Sequence, residues 1–171
     1  MRDIIAVDPG VTGAIAVSSE EPFGDFEWVW TERLKANVCV FKMPDTQGAI
    51  VELFKRLSVH RWRAAFLELV TGYIGQGHPG SAMFTFGENY GFLKGIMMTL
   101  GISLELVRPQ VWQKALGIGA RRNCSSRHEW KRKLAEEACR RYPTLSPGIA
   151  TADAVLILDW AFFHKNEITT V

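Results

Sequence analysis

The sequence predicts an α/β fold in which a mixed sheet of five strands is covered by helices. From residue 3 to residue 43, short apolar runs rich in β-branched and aromatic residues follow one another, as in an antiparallel sheet. From residue 45 onward, similar runs alternate with segments of helical periodicity, as in a parallel sheet. We therefore expect three antiparallel strands followed by parallel ones, and the 171 residues fit one domain over positions 1–171.

The predicted strands are runs that turn-forming residues separate. Residues 4–7 (IIAV) and 14–17 (AIAV) flank the turn sequence DPGVTG. The runs FEWVWT and VCVFKM come next, and AAFLELV and ISLELV follow between helices. The predicted order is β-β-β-α-β-α-β-α-α-α.

The predicted helices carry signals at their ends. Asp45 or Thr46 caps the first helix, Gly101 ends a second helix that begins at Ser81, and Pro109 lies in the first turn of a short third helix. A basic helix spans residues 126–141, the sequence YPTLSPG ends it, and ATADAVLILDWAFFH forms the last, apolar helix.

Positive charge is concentrated in one segment. The chain carries a formal charge of +2, whereas residues 121–141 contain eight basic and three acidic residues. This segment therefore carries +5 and the remainder of the chain −3. Such a stripe indicates either a polyanion bound along one face or a solvated helix surface, and the sequence leaves both open.

The sequence favours a protein of the cell interior. No apolar run reaches the roughly 18 residues that a membrane-spanning helix needs, and the N-terminus meets an acid too early for a secretory signal. Cys39, Cys124 and Cys139 are odd in number and fit no metal-ligand spacing, so reduced thiols are expected. We expect a cytoplasmic protein without a membrane partner.

Three acids stand in apolar sequence: Asp8 after IIAV, Glu68 within AAFLELV, and Asp153 before AVLIL. Burial disfavours an ionised carboxylate, so three of them suggest one site that shares divalent cations. Mg²⁺ prefers oxygen ligands, and a pair of ions can clamp the attacking and leaving oxygens of a phosphodiester. Separate explanations stay open: a turn at Asp8, an outward-facing strand residue at Glu68, and a first-turn helix acid at Asp153.

Four motifs, in order along most of the chain, resemble the RuvC-like Holliday junction resolvases. They are IIAVDPGVTGAIAV, FLE at 66–68, VRPQVWQKALGIG and ADAVLI, and the similarity is greatest to the divergent branch of phages and chloroplasts. The resemblance implies a ribonuclease H-like fold, a homodimer, and nicking of four-way DNA junctions in recombination or repair. It also implies that Asp8, Glu68 and Asp153 are catalytic ligands of two Mg²⁺ ions, which Mn²⁺ can replace.

The resemblance also assigns DNA-binding residues. The family tracks the DNA backbone in the basic segment, where phosphate neutralisation requires only positive charge, and the matching residues are Lys114, Arg121, Arg122, Lys131 and Arg132. The glycine-rich loop TGYIGQGHPG follows the Glu68 strand, and Tyr73, Gln76 and Phe84 are expected to contact DNA. Tyr73 is the better candidate to stack on an unpaired base, because Phe84 and Phe86 also fit a helix core.

One position of the family pattern is not filled. Bacterial members carry a further metal ligand one helical turn before the final acid, and in GIATADAV this position is Ala150. A helix would place positions 150 and 153 on one face. Either Ala150 is an Asp→Ala change that impairs cleavage and leaves DNA affinity intact, or three acids suffice in this chain.

Two other classes of protein fit part of the pattern. Nucleotide-binding domains of the actin, Hsp70 and sugar kinase type contain an Asp-x-Gly-x-Thr turn, which DPGVTG matches. Those proteins need two lobes and a second phosphate-binding turn, which this sequence lacks, so no nucleotide cofactor is expected. The second class is a protein of the same fold that binds junctions without cutting them.

Overall fold

The computed structural model describes residues 3–70 and 80–164, and its centre is a six-stranded mixed sheet. The strand order is β3-β4-β2-β1-β5-β6, antiparallel from β3 to β1 and parallel from β1 to β6. The strands are β1 (Ile4–Asp8), β2 (Ala14–Ser19), β3 (Val29–Thr31), β4 (Ala36–Lys42), β5 (Ala64–Glu68) and β6 (Leu104–Val107). The predicted α/β class and the antiparallel-then-parallel arrangement are confirmed, whereas the count of five strands is wrong by one.

The additional strand is β3, a short edge strand formed by part of FEWVWT. The chain reverses between β3 and β4 at Lys35, whose φ is 49°. The hydroxyl of Thr31 donates to the carbonyl oxygen of Ala36 at 3.1 Å, which closes this hairpin. A left-handed lysine carries none of the Gly or Asn signal that usually marks such a turn. FEWVWT and VCVFKM are separate strand-like runs in the sequence, but the predicted order placed only three strands before the first helix.

The described residues form five α-helices. They are α1 (Gln47–Leu57), α2 (Gly80–Thr99), α3 (Pro109–Ala115), α4 (Arg127–Arg141) and α5 (Ala152–His164), with a 3₁₀ turn at Arg121–Asn123. The predicted ends are confirmed at Thr46, whose hydroxyl accepts from the backbone N–H of Ala49, and at Gly101, whose φ is 68°. No helix in this part of the chain is long and apolar enough to cross a membrane.

The helices form two layers, one on each face of the sheet. Ile4 and Ala6 of β1 pack with α3, α4 and α5, whereas Ile5 and Val7 pack with α1 and α2. This alternation follows from the two-residue period of a strand. Both faces of the central strands are therefore covered, which explains their continuous apolar sequence.

Helix α5 is the most deeply buried helix of the described chain, with every residue from position 152 to position 161 buried. It packs on β1 and β2, where the facing side chains are Ala6, Ala14 and Ala16. These small residues allow the helix to approach the sheet closely. The N-terminal end of α5, which carries Asp153, is thereby fixed against the carboxyl end of β1.

A buried ionic cluster ties α5 to its surroundings at Asp159, whose side chain is fully buried. Its Oδ2 accepts from Arg141 of α4 at 2.7 Å and from Arg33 of the β3–β4 turn at 3.1 Å. Its Oδ1 accepts from the hydroxyl of Tyr142. Burial together with the charge of Asp159 raises the pKa of Tyr142, so this phenol stays a donor. The cluster fixes α4 against α5, and the same two helices carry Lys131 and Asp153.

Candidate active site

Asp8 and Glu68 end two neighbouring parallel strands. Val7 of β1 pairs with Leu67 of β5, so the next residues along each strand lie side by side. Val7 and Leu67 face the layer of α1 and α2, so alternation directs Asp8 and Glu68 to the opposite face, beside α4 and α5. The two acids therefore share one face at one edge of the sheet.

The turn after Asp8 uses the carboxylate as well as the glycines. Oδ1 of Asp8 accepts from the backbone N–H of Gly10 at 3.2 Å, and the N–H of Gly13 donates to the carbonyl of Gly10 at 2.8 Å. A Cβ at Gly13 would overlap the carbonyl oxygen of Asp8, so this position requires glycine. The turn and the acid site are thus one feature, and Oδ2 of Asp8 faces the cleft.

Asp153 meets a lysine in this cleft. It lies in the first turn of α5 with 5% of its surface exposed, and its Oδ2 accepts from Nζ of Lys131 at 2.7 Å. The same Nζ is 3.8 Å from Oδ2 of Asp8. Among the side chains that the structure describes, Oδ1 of Asp153 is buried and has no hydrogen-bond partner. One carboxylate oxygen therefore remains available to a cation.

Glu68 is held by Trp112 of α3, whose indole N–H donates to Oε2 of Glu68 at 3.0 Å. Burial, followed by the negative charges of Asp8 and Asp153, raises the pKa of Glu68 to about 8. The hydrogen bond from Trp112 and the charge of Lys131 act in the opposite direction and are weaker. At neutral pH, Glu68 is protonated when no cation is bound, which is the behaviour expected of crowded carboxylates.

Burial and neighbouring charges also compete in setting the pKa values of Lys131 and Asp153. Burial lowers the pKa of Lys131, but the carboxylates of Asp153 and Asp8 outweigh it, so the net direction is upward. Burial, and the nearby charge of Asp8, raise the pKa of Asp153 although Lys131 opposes them. Lys131 is therefore a firmly charged ammonium that compensates the acids.

Two of the acids, Asp8 and Glu68, line a cleft of about 520 Å³, and Asp153 lies behind Lys131, from which it accepts its hydrogen bond. One wall carries Asp8 and Glu68 together with Lys131 and Arg127, and the rest of the lining is apolar, with Val70, Met83 and Phe86. The cleft is thus charged on one side and suited to an apolar ring or sugar on the other.

The predicted phosphate-binding cations do not all lie on one exposed surface. Lys114, Arg121, Arg122 and Arg132 are exposed, on α3, the 3₁₀ turn and α4. Lys131 instead points into the acid cluster. The sequence did not distinguish Lys131 from its exposed neighbour Arg132. Which of the two faces the acids depends on how α4 is rotated about its axis, and tertiary packing sets that rotation.

Two of the predicted DNA contacts, Tyr73 and Gln76, lie outside the described residues. Phe84 lies on α2 and is 74% exposed, so the interpretation of Phe84 as a core residue is wrong. Phe86 is half-buried and its ring stacks on that of Tyr90, with centroids 6.4 Å apart.

Ala150 lies in a turn and not in the final helix. Helix α5 begins at Ala152, and the N–H of Gly148 donates to the hydroxyl of Thr151 at 3.0 Å in the turn that precedes it. The expectation that a regular helix places positions 150 and 153 on one face is therefore wrong. Ala150 is half-buried and three residues before Asp153 in the chain.

Sequence reasoning missed two residues that act on the acids. Trp112 stands in the motif VRPQVWQKALGIG and donates to Glu68. The N–H of a buried indole needs an acceptor, and this need could have pointed to a nearby acid. Arg127 begins α4 and lines the cleft, and its charge opposes the upward shift in the pKa of Asp153.

The chemistry of this site suits a divalent cation. The donors are carboxylate oxygens, which Mg²⁺ prefers, and one of them is a buried oxygen without a partner. As they stand, no three His, Cys, Asp or Glu side chains within residues 3–70 and 80–164 are arranged as a ready ligand set. The ammonium of Lys131 lies between two of the acids and supplies the positive charge there.

The order of the mixed sheet and the helices on both of its faces match the ribonuclease H-like class of α/β folds. Within that class, the structure is similar to RuvC of Thermus thermophilus, with 19% sequence identity, 96% of each chain covered and a TM-score of 0.59. It is also similar to T. thermophilus RuvC in complex with a Holliday junction substrate, with 16% identity, 97% of this chain and 96% of that chain covered, and a TM-score of 0.60. The chain therefore has the RuvC fold. No family model and no curated protein matches its sequence.

Proposed function

We propose that this chain is an endonuclease that resolves four-way DNA junctions by symmetric nicking that depends on a divalent metal. The observation that supports it is that Asp8, Glu68 and Asp153, three acids from distant parts of the chain, form one interacting cluster at the edge of the sheet in a RuvC fold. In this proposal residues 1–171 form one nuclease domain.

Asp8, Glu68 and Asp153 would hold the metal, with Mg²⁺ as the physiological ion and Mn²⁺ as a substitute. Bound there, a pair of divalent ions activates water and stabilises the charge that develops on a phosphodiester during displacement. A bound cation would stabilise two groups in particular. It would give the buried Oδ1 of Asp153 a partner, and it would favour the ionised form of Glu68.

Neighbouring residues orient these acids. Trp112 fixes the Glu68 carboxyl from α3, and the backbone N–H of Gly10 fixes Asp8. Lys131 keeps Asp8 and Asp153 together in the absence of metal, and its ammonium is then free to donate to a phosphate oxygen once metal has replaced it. The apolar wall that contains Met83 and Phe86 would receive the sugar or base next to the scissile phosphate.

Branched DNA and a second copy of the chain are the proposed partners. The exposed cations Lys114, Arg121, Arg122 and Arg132 would neutralise backbone phosphates, and Arg127 would do so at the mouth of the cleft. A homodimer matches the two-fold symmetry of a junction in which two strands are cut.

A second candidate is a protein that binds junctions through the same surface and does not cut them. Two observations favour it: Lys131 already neutralises two of the acids, and Ala150 stands where a fourth carboxylate would be expected. Both candidates predict binding, so cleavage distinguishes them.

The test is cleavage of a synthetic four-way junction, with a linear duplex of the same sequence as the control substrate. For a resolvase, we expect paired, symmetric nicks in Mg²⁺ or Mn²⁺, no nicks in EDTA, and none with Asp8→Asn, which should still bind the junction. Tight junction binding with no cleavage by the unmodified chain would favour the second candidate. Equal binding of junction and linear duplex would contradict both.

A further inference from the structure

Lys42 ends β4 at the same edge of the sheet as the acids, and it is exposed. It pairs with Ala14 of β2, which in turn pairs with Asp8 of β1. Residues that pair directly across antiparallel strands project to the same face, so Lys42 lies on the face that carries Asp8. Val40, two residues earlier in β4, packs against the layer of α3, α4 and α5, which agrees with this placement.

The turn between β1 and β2 joins Lys42 to the acid site. It follows Asp8 directly, and the carbonyl oxygen of Gly13 accepts from the backbone N–H of Met43 at 2.9 Å, which fixes the end of β4 beside the turn. Adjacent strands are about 4.8 Å apart, so the backbones of Asp8 and Lys42 are about 10 Å apart. Thr12 is exposed in this turn and lines the cleft.

Four hydrogen-bond donors at this place are unused in the described chain. They are the ammonium of Lys42, the hydroxyl of Thr12, and the backbone N–H groups of Val11 and Thr12, none of which has a partner among the described residues. The N–H groups of Gly10 and Gly13, by contrast, are used within the turn. A group of free donors that includes a positive charge suits an oxyanion.

We propose that Thr12 and Lys42 bind the backbone phosphate next to the one that is cleaved, on the side of Asp8 that faces β4. The proposal rests on the junction-cleaving function proposed above and adds a subsite to it. Lys42 supplies the charge, and the donors of the turn fix the orientation of the phosphate. A DNA strand held in this way runs from the cleft across the end of β2 towards β4.

The charges of the site explain why a cation is needed at this point. Every nucleotide brings a negative phosphate, and a strand in the cleft passes three carboxylates. Arg127 and Lys131 supply positive charge within the cleft, and the other cations assigned to DNA lie on α3, α4 and the segment between them. Lys42 lies on β4 instead, so it contacts a different phosphate and offsets the repulsion on that side.

The first test is junction affinity, measured by fluorescence anisotropy in EDTA, where no cleavage occurs. Lys42→Gln should weaken binding about tenfold and reduce the slope of log affinity against log salt by about 1, because it removes a charged phosphate contact. Thr12→Val should weaken binding about threefold or more and leave the slope unchanged, because a hydroxyl releases no counterion.

Two matched variants serve as controls. Lys35→Gln changes an exposed lysine at the opposite end of β4, where it is paired with Glu32. Thr144→Val changes an exposed threonine between α4 and α5. Neither control should alter the affinity or the salt dependence, and all four variants should melt at the wild-type temperature because the changed side chains are exposed.

The second test identifies the phosphate that is bound. A methylphosphonate, which replaces one charged phosphate oxygen with a methyl group, is placed at one position of the junction at a time. At the phosphate that Lys42 contacts, this change should weaken binding by the wild-type chain and should not weaken binding by Lys42→Gln any further. We expect this coupling at the phosphate next to the nicked bond and additive losses elsewhere.

The outcomes separate this subsite from the proposed nuclease activity, because nicking by the wild-type chain is measured on its own. Unchanged affinity in Lys42→Gln and Thr12→Val overturns the subsite alone, and so does coupling at no phosphate or only at one remote from the nicked bond. If both variants bind weakly as expected but the wild-type chain cuts no junction, the phosphate contact stands and the nuclease activity falls. A wild-type chain that binds no junction overturns both.

Discussion

The ammonium nitrogen of Lys131 lies 2.7 Å from Oδ2 of Asp153 and 3.8 Å from Oδ2 of Asp8, between the two carboxylates. A positively charged side chain in this position balances acids that would otherwise repel each other. The ammonium therefore offsets the repulsion between these acids when no cation is bound, and a cation that binds the acids must compete with Lys131.

Removal of this ammonium should have opposite effects on stability and on ion binding. We expect Lys131→Met to destabilise the metal-free protein by about 2–3 kcal/mol, less than for a fully buried pair because Lys131 is partly exposed. The same variant should bind Mg²⁺ more tightly, with a larger rise in melting temperature when Mg²⁺ is added. Lys133→Met, an exposed lysine on the same helix, is the control and should change neither quantity. Weaker Mg²⁺ binding by Lys131→Met would show that Lys131 does not compete with the ion.

The raised pKa of Glu68 predicts how stability depends on pH. The ordinary value is 4.5 and the folded value is about 8, so between them the folded protein keeps a proton that the unfolded chain has lost. Stability should therefore fall as pH rises from about 4.5 to 8, by up to about 4 kcal/mol in EDTA.

Urea unfolding across this pH range checks the prediction. Glu68→Gln should remove most of the fall and should be more stable than wild type at pH 8. Mg²⁺ should also flatten the profile, because a cation favours the ionised carboxylate. Glu52→Gln, on the exposed surface of α1, should keep the wild-type profile. An unchanged profile in Glu68→Gln would mean that Glu68 does not carry the proton.

Restoring an acid next to Asp153 tests the meaning of Ala150. Ala150→Asp adds a carboxylate in the turn before α5, three residues before Asp153. We expect Mg²⁺ affinity to rise about tenfold or more, and junction cleavage to rise with it. Ile149→Asp is the control, since Ile149 is 45% exposed. If Ala150→Asp changes nothing and the wild-type chain already cuts junctions, three acids suffice.

The exposed cations should determine how DNA binding depends on salt. Each true phosphate contact removed should reduce the slope of log affinity against log salt by about 1. We therefore expect a reduction of about 2 for the double variant Arg121→Ala and Arg122→Ala. Arg140→Ala should leave the slope unchanged, because Arg140 is paired with Glu137. The measurement is junction affinity by fluorescence anisotropy over a range of salt concentrations, and an unchanged slope in the double variant would place the DNA elsewhere.

The ionic cluster at Asp159 should be important for stability. In Asp159→Asn, the partly exposed Arg33 loses its charged partner and the largely buried Arg141 loses one of its two, the other being Glu137. We expect a loss of about 3–5 kcal/mol in urea unfolding. Glu52→Gln, which breaks an exposed pair with Lys55, should unfold close to wild type. A loss for Asp159→Asn no larger than for Glu52→Gln would mean that the cluster contributes little.

Local signals in the sequence predicted local features of the structure. Thr46 and Ser126 cap helices by accepting hydrogen bonds three residues ahead, and Gly101 ends α2 in a left-handed conformation, as their residue types indicate. The shared site of Asp8 and Glu68 was expected because both acids stand in apolar sequence, where a lone ionised carboxylate is costly.

Features that depend on the packing of distant elements were not predicted. The rotation of α4 directs Lys131 into the acids, and only the docked α3 brings Trp112 to Glu68. The edge strand β3 depends on a left-handed lysine, which no composition rule marks. The sequence contains these residues, but the distances between them are set by the tertiary fold.

The alanine layer beneath α5 restricts how this chain can diverge. Ala6, Ala14 and Ala16 are fully buried, and α5 lies directly on them. A larger side chain at any of these positions would push α5, and Asp153 with it, away from Asp8. The three alanines take no part in the chemistry, but substitutions at these positions are restricted because they would change the distance between Asp8 and Asp153. A redesign of this fold that keeps the acids and enlarges the alanines would lose the site before it lost the fold.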